Sequence, residues 1–157
     1  MTDINIGLDD NARGSVAEAL NGVLADTYVL YMKTHSYHWN VTGPQFHTLH
    51  TMFEEQYREM WAALDELAER VRALGHFAPA SGAAFIERAA IESAEAEPPA
   101  AGDMIKTLLA DHEALIRRAR EALETADDAD DDASEDLLTQ RIQSHEKTAW
   151  MLRSMAG

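Results

Sequence analysis

"HSYHWNVTGPQFHTLHTMFEEQY", residues 35–57, decides the fold. Its middle, "NVTGPQ", separates two helical patterns: Gly43 and Pro44 break the chain, Pro44 is tolerated in the first turn of a new helix, and Thr42 is a candidate cap. Upstream, apolar residues at Val16, Leu20, Val23, Leu24, Leu30 and Tyr31 recur near helical spacing. This predicts a first long helix from Val16 to about Trp39. Downstream, a second helix is expected from about Gln45 to Leu74, ending where "LGHFAPASG" brings Gly75, Pro79 and Gly82 together. The short turn folds the first helix back alongside the second.

Further along, apolar residues at Ile105, Leu108, Leu109, Leu115 and Ile116 predict a third helix from about Ala101 to Thr125. Leu137, Leu138, Ile142, Trp150 and Leu152 predict a fourth from about Ser134 to Met155, after the acidic run "DDADDDASED". Some 26 residues separate helices two and three, more than a hairpin connection needs, so a crossover is implied. Within it "AAFIERAA" is a candidate short helix. The expected fold is all-α, a four-helix bundle with the long crossover of ferritin-like folds. Residues 1–157 form one domain on this reading, with 1–14 as a short N-terminal extension.

Asp and Glu number 28 against 13 Lys and Arg, for a formal charge of −15. Such a surface repels nucleic-acid phosphates and attracts cations. The first twelve residues lack the basic and apolar regions of a signal peptide, and no apolar run approaches the roughly 20 residues that cross a bilayer, so a cytoplasmic location and no membrane partner are expected. With no Cys, thiol chemistry, zinc thiolate sites and iron–sulfur clusters are excluded. Any metal must be held by His, Asp and Glu, and composition alone does not choose it.

On helix two, His50, Glu54, Asp65 and Glu69 fall within roughly 100° of one another, on one stripe. Height separates them, because at about 1.5 Å per residue Glu54 and Asp65 lie some 16 Å apart, far beyond metal–ligand bonds of about 2 Å. One solution is a different partner for each pair inside the bundle, as in di-iron proteins that use Glu-x-x-His motifs; no His here has Glu three residues before it. The other is a second copy of the chain. A twofold axis near residues 59 and 60 lays two such helices antiparallel and brings His50 and Glu54 opposite Asp65 and Glu69 of the partner subunit. His38, at the end of helix one, reaches the same place.

These residues carry a family resemblance. "HWNVTGPQFHTLHTMFEEQY", with "DELAER" beyond it, resembles the Dps family, the mini-ferritins named as DNA-binding proteins from starved cells. "GDMIKTLLADHEALIRRAR" and "HEKTAWMLRS" resemble that family's last two long helices. The specific pattern is His38-Trp39, then Phe46, then Leu49-His50, with Asp65 and Glu69 fifteen and nineteen residues beyond His50.

The resemblance implies a ferroxidase centre shared between two subunits, with His38, His50 and Glu54 from one and Asp65 and Glu69 from the other. These five would be both metal ligands and catalytic residues, holding two irons per site, Fe(II) before turnover and Fe(III) after. Glu54 is a departure, since many members carry Asp there. Trp39 borders the site in the family, where an oxidisable ring could intercept radicals. The resemblance further implies a hollow homo-oligomer of twelve subunits built from dimers. Its iron-admitting threefold pores would be lined by Asp131, Asp132, Glu135 and Asp136.

The implied function is iron storage and detoxification, with hydrogen peroxide or, more slowly, dioxygen as oxidant, protecting against oxidative damage. A rival reading, DNA compaction, is disfavoured by the acidic N-terminus and the absence of a Lys-rich tail. A zinc-binding or purely structural shell is a second rival. Taken singly, Glu54 could instead pair with Arg58, and Glu69 with Arg72, as ordinary helix-surface ion pairs. His35 and His47 are read as polar or packing residues, and the acidic run, without the resemblance, as a solvated loop.

Overall fold

The computed structural model describes residues 3–157 and contains five helices and, among those residues, no strand. They are α1 (Asp10–Asn40), α2 (Phe46–Ala73), α3 (Gly82–Arg88), α4 (Ala101–Asp128) and α5 (Asp132–Met155). The two hairpins, α1 with α2 and α4 with α5, form the bundle, and α1 also packs on α4. The crossover carries α3, which lies against α1. The all-α bundle with a long crossover is therefore the observed fold, and no described helix is long and apolar enough to cross a membrane.

α1 starts six residues before the apolar pattern does. Asp9 accepts a hydrogen bond from the Ala12 amide at 2.8 Å, and Asp10 places a negative charge in the first turn, where the helix dipole favours it. Arg13 then donates to the Leu74 carbonyl at 2.9 Å, tying this end to the far end of α2. Of the expected N-terminal extension, residues 1 and 2 lie outside the described residues, and Asp10 to Gly14 are helix.

Every residue from Leu20 to Thr27 is buried, because α1 is enclosed by α2, α4 and the crossover. Two of them hold the crossover in place. The Asp26 carboxylate accepts from the Ala90 and Ile91 amides at 2.7 and 3.1 Å and from Arg118 at 2.9 Å. Gly22 makes room for that arginine, since a Cβ there would lie 2.6 Å from Arg118 Nη2.

The α1–α2 turn depends on Gly43, whose φ of 110° belongs to the left-handed region that favours glycine. Thr42 is not the cap; Gln45 occupies that position and makes no side-chain capping bond. The expected acidic loop is also much shorter than its charge suggests. Asp127 and Asp128 end α4, Asp132 begins α5, and only residues 129–131 connect them.

Candidate metal centre

His38, in the last turn of α1, and His50, near the start of α2, meet across the Gly43 turn. Their rings stack with centroids 3.8 Å apart and planes 18° from parallel. Nδ1 of His38 donates to the His50 carbonyl at 2.7 Å, and Nδ1 of His50 donates to the His38 carbonyl at 2.8 Å. A carbonyl can only accept, so each Nδ1 carries the proton and each Nε2 keeps its lone pair. Two nitrogens of a type able to ligate a metal are thus oriented by the backbone of the opposite helix, as outer-shell bonds orient imidazoles at metal sites.

Glu54 lies one turn beyond His50. Its carboxylate accepts from Arg58 Nη2 at 2.8 Å and Nε at 3.1 Å. Those bonds, chiefly, hold its carboxyl below the usual Glu range, so it is ionised at neutral pH. The ordinary i,i+4 pair is real, but both of its bonds fall on Oε1, and Oε2 of Glu54 carries no bond from Arg58. Glu69, by contrast, does not pair with Arg72, which donates to the His76 carbonyl at 2.7 Å and lies over the Phe77 ring.

Asp65 and Glu69 are exposed on α2. Their rise along the helix leaves them well away from the histidine pair of the same chain. Among the described residues no three of His, Asp and Glu are grouped to hold an ion. The outward stripe of α2 does, however, run through Glu54, Arg58, Trp61, Asp65 and Glu69, and near its midpoint Trp61 is 63% exposed.

Aromatic rings surround the histidine pair. Tyr57 meets His38 edge-on with centroids 5.2 Å apart and stacks on His35 at 3.8 Å; His35 in turn lies 4.1 Å from Trp39. His35 is therefore a packing residue, as the sequence suggests, but one set against the candidate centre. His47 is exposed beside Trp150 and Met151 and takes no part.

This arrangement can be compared with known proteins. The family described as Ferritin-like domain matches residues 17–157. A Bacillus anthracis protein described as DNA protection during starvation protein 2 is 40% identical over 139 residues, covering 88% of this chain and 94% of that one. The chain belongs to the Dps family. Solved Dps structures agree: one from Bacillus brevis superposes with a TM-score of 0.90 at 39% identity, covering 94% of this chain and 98% of that one. Another, from Vibrio cholerae O1, superposes with a TM-score of 0.93 at 32% identity, covering 100% of this chain and 99% of that one. The latter is described as a member of a broad superfamily of ferritin-like diiron-carboxylate proteins.

For this Dps chain one acidic residue needs correction. Asp131, expected among the pore carboxylates, is 3% exposed and caps α5. It accepts from the Ser134 amide at 3.1 Å, from the Ser134 hydroxyl at 2.5 Å and from Arg70 Nη2 at 2.7 Å. Burial alone would raise its pKa, but these bonds outweigh burial and hold it below the usual Asp range. Its charge is spent within the subunit. Asp132 and Asp136 are exposed, and Glu135 is half-buried among acids. Partial burial, then repulsion from Asp127 and Asp132, pushes the Glu135 pKa up.

The bundle interior also holds a polar chain that spacing did not predict. Arg141 donates to Nε2 of His145 at 3.1 Å, so the His145 proton sits on Nδ1, which donates to Nδ1 of His112 at 2.9 Å. Arg141 is held in turn by Glu59, whose carboxylate accepts at 3.0 Å. This order leaves His112 with its proton on Nε2, a donor without a protein acceptor. Burial pushes His112 down to about 3 and His145 well below the usual His range. The polar types at His112 and His145, near helical spacing with core positions, were the only signal in the sequence.

Proposed function

We propose that this Dps protein is an iron-storing ferroxidase whose centre is completed between two subunits. The observation that carries the reading is the clasped His38–His50 pair. It presents two lone-pair nitrogens beside Glu54, with no second carboxylate grouped with them among the described residues. Asp65 and Glu69 of the partner subunit complete the centre when two α2 helices lie antiparallel about a twofold axis near residues 59 and 60. Supporting this, the large exposed apolar side chain of the stripe, Trp61, falls near that axis, where a partner would cover it. Ferrous iron is the substrate, and a mixed imidazole and carboxylate donor set suits it.

In turnover two ferrous ions each give one electron, and hydrogen peroxide takes both, so its oxygen–oxygen bond breaks without releasing hydroxyl radical. Dioxygen is the slower oxidant. The oxygens enter ferric oxyhydroxide with solvent water, and protons are released. The chain's residues act by placement: the imidazoles are fixed before iron binds, and the carboxylates stabilise the ferric charge. The subunits form a closed dodecamer that stores the mineral and so limits oxidative damage in the cytoplasm. Iron reaches the cavity through threefold pores lined by Asp132, Glu135 and Asp136, whose repeated charge about an axis concentrates cations. DNA compaction is not favoured: Asp3, Asp9 and Asp10 are the only charged side chains from residue 3 to Asp10.

Anaerobic protein loaded with ferrous iron and titrated with peroxide tests this directly. About two irons oxidised per peroxide are expected, as two-electron reduction requires. Peroxide uptake no greater than in a protein-free control would end the reading.

A further inference from the structure

Away from the histidine pair, one recess in the bundle surface gathers donors of a different kind. It lies between the start of α2 and the end of α5, has a volume of about 500 Å³, and is lined by His47, Met52, Glu55, Trp150, Met151 and Met155, with small hydroxyl side chains between them. Three of the chain's seven methionines meet there, and because the chain has no cysteine, methionine is its only source of sulfur. Spacing accounts for the gathering: Met151 and Met155 are four residues apart on α5, and residues four apart share a helix face.

His47 is exposed and turns toward α5, whereas His50, three residues on, is held by the His38 carbonyl of α1. Its imidazole is therefore separate from the clasped pair. Met151 is exposed and Met155 half-buried, so an ion in solvent has access to both thioethers. The Cβ atoms of such a helix pair stand about 5–6 Å apart, and each unbranched side chain turns freely about its single bonds, so both sulfurs can close on one ion at about 2.3 Å. Trp150, also exposed, adds an indole whose face attracts a cation.

We propose that this recess is a site for a soft monovalent metal ion, Cu(I), held by the thioethers of Met151 and Met155 and by an imidazole nitrogen of His47. Thioether and imidazole together select Cu(I), whereas the carboxylates that dominate the rest of the surface suit harder ions. Ferrous iron would find one carboxylate here, Glu55, and gains little from thioethers. A single charge also costs less to strip of water than a double one, which suits a recess walled mostly by carbon and sulfur. The site stands apart from the ferroxidase reading, since none of its donors belongs to the iron centre. A shell that gathers iron would thus take a second, softer redox metal at a separate place.

Anaerobic competition for Cu(I) between the assembled protein and the chromophoric chelator bicinchoninate tests this, with X-ray absorption at the copper edge reading the donors. The wild type is expected to draw Cu(I) from the chelator and to show sulfur neighbours at about 2.3 Å, the usual metal–sulfur distance, beside an imidazole. Met151→Leu/Met155→Leu, which keeps the apolar volume but removes both thioethers, should bind at least about tenfold more weakly, the loss that even an outer-shell change causes at metal sites. His47→Ala should lose the imidazole from the spectrum. His38→Ala/His50→Ala, which removes the iron-centre imidazoles, should keep the copper and its sulfur neighbours. A wild type that takes no copper, competition curves that coincide for wild type and the methionine variant, or copper with only nitrogen and oxygen neighbours would overturn the proposal and leave the recess as an apolar seat for another subunit. Should the methionine variant fail to assemble, the wild-type spectrum alone decides.

Discussion

At the scale of single residues, identical side chains are put to opposite uses. His38 and His50 keep free Nε2 lone pairs near the surface, whereas His112 and His145 are locked to each other and to Arg141 in the interior. The buried pair carries a pH cost whose sign is fixed. Folded-state pKa values are depressed below the ordinary 6.5, so the unfolded chain binds more protons as pH falls. Stability is fully present above about pH 6.5 and is lost as pH falls below it, at up to about 1.4 kcal/mol per pH unit for each histidine. The urea midpoint of the wild type should therefore fall between about pH 6 and pH 5. In His112→Leu/His145→Leu that acid limb should be shallower, and an equal slope in the two proteins would mean that burial does not hold these histidines neutral. Spacing made His38 and His50 legible as a pair in the sequence, but not their mutual grip, which lies in backbone carbonyls that every residue type shares. Asp131 was legible only as a charge; that it turns inward depends on Arg70, sixty-one residues away in sequence.

At the scale of elements, the long helices were readable because their apolar stripes are long and regular, and each was expected where it is found. Their ends were not. α1 begins in the polar stretch "DNARGS", where no apolar period exists, and its start is set by the Asp9 cap and the Arg13 bond to Leu74. α4 runs on through Asp127 and Asp128 although acids at a helix C-terminus oppose the dipole, because Ala122 and Ala126 are still packed there. The crossover is the element most dependent on a single side chain. Asp26→Ala removes the acceptor of two crossover amides and leaves Arg118, only partly exposed, without its carboxylate. A loss of about 3 kcal/mol in urea unfolding is expected, with proteolysis appearing first between residues 89 and 100. A variant as stable as wild type would show that the crossover is held by α3 alone.

At the scale of the whole molecule, the proposed division of the centre between subunits makes a prediction that no single-chain centre shares. His50→Ala and Asp65→Ala/Glu69→Ala should each be inactive in ferrous oxidation when assembled alone. Dissociated and reassembled together, they should regain activity, because each mixed dimer has one site with both defects and one with none. Random pairing makes about a quarter of all sites intact. Recovery near that fraction in a stopped-flow assay of ferrous loss is the expected result; no recovery despite mixed assembly would place Asp65 and Glu69 outside the centre. The sequence carried this much because helix geometry alone separates Glu54 from Asp65. What periodicity did not show is that Trp61, which obeys the same helical spacing as the core residues around it, points outward.

The mutual clasp of the two imidazoles has a last consequence. Because each ring is anchored by the other residue's main-chain carbonyl, which an alanine retains, truncating one histidine leaves the survivor's hydrogen bond in place and takes away only the ring stacked on it. Stability losses from His38→Ala and His50→Ala should therefore depart from additivity in the double variant only by the worth of that stack, a small coupling that a double-mutant cycle in urea isolates before any ion arrives.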